Sequence, residues 1–210
     1  MKMGVLLSLV SACCVLLAGC FSAGVSAQKK ADALKRTYLP VAVATVPVVE
    51  RPLLPAIKLR AFTALSPYDS LQFVVRRANG ETALDYYRGW VAAPQDLIRS
   101  QTGRYLEQTG LFEAMYDASS GTQPAWGLEG TVVECFLDYQ GAEPAVQMTL
   151  RLLVLDEESV AFNVVFATQA TARVPLQSQG EDSAVQAFNV ALSQVLAECA
   201  AKFKTATFKK

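Results

Sequence analysis

The residue best equipped for chemistry in this chain is Cys20, which closes the run Leu17-Ala18-Gly19-Cys20. A charged start at Lys2, an apolar run from Val5 to Leu17 and small residues just before a cysteine are the parts of a secretory leader of the bacterial lipoprotein type. The chemistry this spacing serves is acylation of the thiol, cleavage before Cys20 and acylation of the new amine. Small residues at Ala18 and Gly19 admit the peptidase. The apolar run is too short to span a bilayer comfortably. A single acyl chain holds only marginally at ~0.8 kcal/mol per buried methylene, whereas three make release negligible. An ordinary signal peptide cut after Ala23 or Ala27 is the alternative. Phe21, rather than an aspartate, follows the cysteine, which favours the outer membrane with the domain facing the periplasm.

The other reactive side chains narrow the field by their scarcity. Histidine is absent, which removes Ser-His-Asp and Cys-His nucleophilic sites, the commonest zinc sets and the usual proton shuttle near neutral pH. Carboxylate-only catalysis stays formally open, but no acid pair is identifiable. Of five cysteines, Cys13 and Cys14 leave with the leader and Cys20 is acylated. Cys135 and Cys199 remain in an oxidising compartment without a CxxC motif. They form a candidate disulfide, worth on the order of 4 kcal/mol for so long a loop; two inert buried thiols are the competing reading. Strict alternation puts Glu134 and Asp138 on the strand face opposite Glu129, so these acids make no metal set. No cofactor is expected. Acidic and basic residues balance at 19 each, and the basic ones are scattered apart from a few pairs, so nucleic acid is not expected as a partner.

The elements that must position these residues read as one domain. The segments are 1–19 as signal peptide, 20–36 as lipidated N terminus and flexible tether, 37–205 as the folded domain and 206–210 as a tail. Tyr38 to Val49 is β-rich but broken by Pro40 and Pro47, an edge strand or extended loop. Ile57 to Phe62 alternates as a strand. Leu71 to Arg76 and Ala83 to Arg88 form a hairpin across Asn79-Gly80, a dipeptide suited to a type I′ turn. Pro94 opens a helix at its first position, Asp96 sits at the positive end of its dipole, and Gly110 is placed as its left-handed ending. A short strand at Phe112 to Tyr116 follows. Trp126 to Tyr139, Ala145 to Leu155 and Val160 to Arg173 form an antiparallel meander, the middle strand turning Val146, Met148, Leu150, Leu152 and Val154 toward a core. Val185, Phe188, Leu192, Val195, Leu196, Cys199 and Phe203 recur at helical spacing. The expected fold is α+β: a mainly antiparallel sheet with two helices, one mid-chain and one long and C-terminal, packed on it.

In the order and spacing of its motifs the chain resembles the ABC-type transport auxiliary lipoproteins, related to the auxiliary lipoprotein of the paraquat-inducible system. The motifs are Phe73-Val74-Val75-Arg76, Asp85-Tyr86-Tyr87, Ala93-Pro94 with Leu97-Ile98, Tyr105-Leu106, Gly110-Leu111-Phe112 and Leu128-Glu129-Gly130. With the Cys20 motif they extend over nearly the whole mature chain. The resemblance implies a periplasm-facing, non-enzymatic adaptor that works with ABC transporter subunits and an MCE-domain protein in moving lipid between membranes. A homo-oligomer is left open. Tyr86, Tyr87 and Trp90 beside the helix start, with Arg76, are the candidate partner surface; core packing is the competing reading for the aromatics, and a solvated strand end for the arginine. The alternative function is a transporter-independent envelope-assembly or small-ligand-binding lipoprotein.

Overall fold

A 13-residue strand, β6 (Trp126–Asp138), is the spine of the domain. The structure, a computed structural model, describes residues 35–42, 48–178 and 181–208, and its main folded unit begins at Thr37. Cys20 and residues 21–34 of the expected tether lie outside the described residues, and Arg36 at its end belongs to a strand. Before β6 come β1 (Arg36–Tyr38), β2 (Ile57–Ala64), β3 (Gln72–Arg76), β4 (Thr82–Trp90), α1 (Pro94–Thr109) and β5 (Met115–Asp117); after it come β7 (Ala145–Asp156), β8 (Val164–Pro175) and α2 (Glu181–Phe203).

On one side of β6, β7 and then β8 pair antiparallel, forming the expected meander. On the other side the sheet forks. Ile57 to Ala64 of β2 run parallel to Trp126 to Val132, while Val74 to Arg76 of β3 run parallel to Phe136 to Asp138. β5 extends the first arm in parallel, and β4, then β1, extend the second. The sheet is therefore mixed and not mainly antiparallel, which corrects the expectation from the sequence. The physical reason is the connection. Returning from β2 or β3 to β6 in the same direction requires a long crossover, here carrying α1, and hairpin signals register only neighbours in the chain.

A bulge between Val132 and Glu134 marks the fork. Before it Leu128, Gly130 and Val132 face the core; after it Cys135 and Leu137 do. The extra residue reverses the alternation. Glu129, Glu134 and Asp138 consequently share the outer face, not opposite faces as strict alternation implies. A second bulge, between Leu59 and Phe62 of β2, turns Phe62 inward in place of Ala61.

Both helices lie against the inner face. α1 begins at Pro94 and ends at Gly110, whose φ of 66° and N–H donated to the Glu107 carbonyl match the expected ending. It packs on β2, where a Cβ on Gly103 would sit 2.8 Å from Leu59, so glycine is what permits this closeness. α2 packs on β7 and β8, and its Phe188, Leu192, Val195, Leu196, Cys199 and Phe203 are buried in the same core as the five inward residues of β7. The β3–β4 turn differs from the one expected. Of its residues only Gly80 has positive φ; the Gly80 N–H donates to the Arg77 carbonyl at 2.8 Å and the Arg77 N–H to the Glu81 carbonyl at 2.8 Å, a turn over residues 77–80 closed by a left-handed glycine. The strand near residue 112 is Met115–Asp117, with Phe112 making an isolated bridge to Leu54. Phe208, in the segment read as a tail, packs its ring on Trp126 at 5.4 Å.

Candidate functional site

The four residues singled out as a partner surface separate into three environments. Trp90, at the end of β4, is buried: its ring meets Phe73 at 4.5 Å and Phe188 of α2 at 4.9 Å. It is core, the competing reading of that aromatic, because β4 re-enters the sheet at Gly89 opposite Gln72.

Tyr86 and Tyr87 do reach the surface, at 40% and 50% exposure, with their rings edge to face at 5.1 Å. The backbone displays them. Between the pairs Val74–Leu84 and Gln72–Gly89, β4 contains more residues than β3, and the excess forms a projecting bulge over residues 85–88. Asp85 braces it from within, accepting hydrogen bonds from the backbone N–H groups of Tyr87 (2.9 Å) and Arg88 (3.1 Å) and from the Arg88 guanidinium (2.7 Å). Gln72 Nε2 donates to the Asp85 carbonyl at 3.2 Å. Both members of the Asp85–Arg88 pair are largely buried, so this brace is shielded better than a surface ion pair.

Arg76 lies on the outer face and is committed to Asp138. Its Nε and Nη2 donate to the two carboxylate oxygens at 3.1 and 2.8 Å, and the guanidinium covers the Phe136 ring at 4.8 Å. Arg173 of β8 donates to the same carboxylate at 2.5 Å, and the Gln140 backbone N–H at 3.0 Å. The hydrogen-bonded Arg76 first, then the Gln140 N–H and Arg173, hold the Asp138 carboxyl well below the usual carboxylate range against the opposing effect of burial. A carboxylate so occupied is a poor proton acceptor. It clasps β3, β6 and β8 across the sheet. Glu134 beside it accepts from Thr149 (2.7 Å) and Gln147 (3.2 Å), and further along the same face Glu129 pairs with Arg60 at 3.2 Å. Among the described residues no group of histidine, cysteine, aspartate or glutamate is arranged to hold a metal ion.

Cys135 and Cys199 are buried free thiols. Cys135 on β6 opposes Met148, whereas Cys199 rides on the helix over β7 and β8. In the structure both thiols are unpaired. Burial pushes each thiol up to about 12. On the inner layer, a cleft of about 210 Å³ lies between α1 and β5, lined by Leu59, Arg99, Gly103, Arg104, Met115 and Tyr116. Its Arg99 is engaged by Asp117 at 3.0 Å.

The reading from sequence missed Asp138 as a hub. Its one signal, the in-register opposition of Arg76 and Asp138, exists only through the parallel pairing of β3 with β6. Fold and site together define a domain whose charged clusters brace a sheet and whose built projection displays aromatic rings. The chain belongs to the ABC-type transport auxiliary lipoprotein component family, whose model matches residues 38–200; it is an auxiliary component of an ABC-type transport system. A Xanthomonas campestris protein of the DUF330 family has the same fold, with a TM-score of 0.68 and 24% identity over 80% of this chain and 95% of that one. A structure described as an uncharacterized protein gives 0.56 at 15% identity over 78% and 98% of the two chains. A hypothetical protein from Chlamydia trachomatis gives 0.52 at 9% over 73% and 97%. At these identities the likeness concerns the fold alone. No curated protein matches significantly.

Proposed function

We propose that the mature protein is a non-enzymatic adaptor, held by acyl chains on Cys20 at the periplasmic face of the outer membrane, that serves an ABC and MCE-type system moving lipid between the two membranes. The observation that carries this reading is the family match over residues 38–200 in a chain whose first twenty residues end in a lipoprotein cleavage motif. Two features support the adaptor role. The carboxylates of Asp138 and Asp85 are spent on bracing strands, and Tyr86 and Tyr87 are presented outward on a projection that a featureless hairpin would lack. Tyrosine, apolar in body and polar at the tip, suits such contact surfaces. In this account residues 1–19 are removed, 20–36 tether the domain, and the domain begins near Thr37.

Tethering makes modest contacts effective, because it confines the domain to a thin layer where partner concentration is high. A Cys20→Ser chain, exported through a leader cut by another peptidase, is expected in the soluble periplasmic fraction and fails to restore detergent resistance to a strain lacking the gene. Full restoration by the unanchored chain, or its continued flotation with outer membranes, contradicts the acyl anchor.

A further inference from the structure

Three aliphatic side chains, Leu39, Leu71 and Val91, are each more than half exposed, and the backbone brings them to one place. Leu39 follows β1, Val91 follows β4 and Leu71 precedes β3. The Val91 N–H donates to the Tyr38 carbonyl at 3.0 Å and the Trp90 N–H to the Leu71 carbonyl at 2.6 Å, so the three residues stand on adjoining strand ends. The bulge bearing Tyr86 and Tyr87 rises from the same β4. Single exposed leucines are ordinary. Three aliphatics on adjoining strand ends of one arm form the kind of apolar patch that marks a contact.

We propose that this end of the β1–β4–β3 arm is a second membrane contact, lying in the headgroup layer of the bilayer that holds the acyl anchor. The proposal rests on acylation at Cys20. What selects lipid as the occupant is where the chain outside the folded unit ends. The folded unit begins at Thr37, inside β1, and β1 is the neighbour of β4 at the edge of the sheet. Only the sixteen residues 21–36 separate it from Cys20, a covalent reach of at most on the order of 50 Å. The tether enters two residues before Leu39, so this strand end is the part of the domain held within that reach of the bilayer. One weak insertion beside a permanent anchor changes orientation rather than affinity: it sets which side of the domain faces the periplasm.

The test uses the full acylated chain in vesicles of phosphatidylethanolamine and phosphatidylglycerol, with single nitroxide labels introduced through Leu39→Cys, Val91→Cys or, as a control on the β7–β8 turn, Val160→Cys. Cys20 is blocked by acylation and the two remaining thiols are buried, so labelling is confined to the new site. The expected result is a several-fold preference for collision with oxygen over a water-soluble nickel chelate at positions 39 and 91, and none at 160. Equal, water-like accessibility at all three positions overturns the proposal. Shielding of 39 and 91 from both reagents also overturns it, since protein rather than lipid would then cover the patch. Intact mass distinguishes these failures from failure of the anchor: a chain without acyl groups at Cys20 removes the premise and the proposal together.

Discussion

Asp138 shows how much one carboxylate can organise when three strands converge on it. Its four hydrogen bonds, two from Arg76 and one each from Arg173 and the Gln140 backbone, tie β3, β6 and β8. Asp138→Asn keeps the shape and removes the charge, and is expected to cost about 1–2 kcal/mol in a urea melt at pH 7, the low end for charged hydrogen bonds because both arginines are partly solvated. Because the folded carboxyl is held below its ordinary value, its contribution is fully present above about pH 4, the unfolded range for aspartate, and is lost as pH falls toward the depressed folded value. The gap between wild type and Asp138→Asn should therefore narrow on going from pH 7 to pH 3. A gap that widens would contradict the clasp. The cysteines make a second prediction at this scale. With both thiols buried and pushed up to about 12, neither should react with a thiol reagent in the folded protein at pH 8, and both should be alkylated after unfolding without reductant. A mass showing no added groups would mean that the pair is oxidised.

At the scale of elements, glycine at position 130 decides how β2 meets β6. Phe62 pairs with Gly130, and its buried ring occupies the space a Cβ would need. Gly130→Ala is expected to destabilise by about 1–3 kcal/mol through overpacking at a strand junction, read as a lower melting midpoint, while alanine at the solvent-open Gly121 should be nearly silent. The open edge at β8 is blunted from the helix layer, where Lys202 donates to the Gln169 carbonyl at 2.6 Å. The elements themselves were largely legible. Pro94 and Gly110 bracket α1, the inward run from Val146 to Val154 marks β7, and the heptad-like spacing to Phe203 marks α2. What the sequence did not disclose was pairing across distance. The parallel placement of β2 and β3 on β6 leaves no local mark, and the bulge at residue 133 reverses the faces without any glycine or proline to announce it. The candidate site divides along the same line. Tyr86 and Tyr87 reach the surface, Trp90 is drawn into the core by α2, and Arg76 finds a partner sixty-two residues away.

On the scale of the whole molecule, a sheet covered on its inner face by two helices leaves a polar outer face, an apolar strand-end patch and an aromatic projection for contacts beyond the chain. Among the described residues no helix is long and apolar enough to cross a membrane. Membership of the transport auxiliary family supplies the context for these surfaces, and the central claim is that the domain works by binding the transport assembly. Affinity capture of the tagged, acylated protein from native membranes tests it most directly, with a Tyr86→Ser/Tyr87→Ser variant run beside it. The account predicts recovery of ABC transporter subunits or an MCE-domain protein with the wild type. Recovery of neither, together with an unaltered outer-membrane barrier in a strain lacking the gene, would contradict it and favour a transporter-independent envelope lipoprotein.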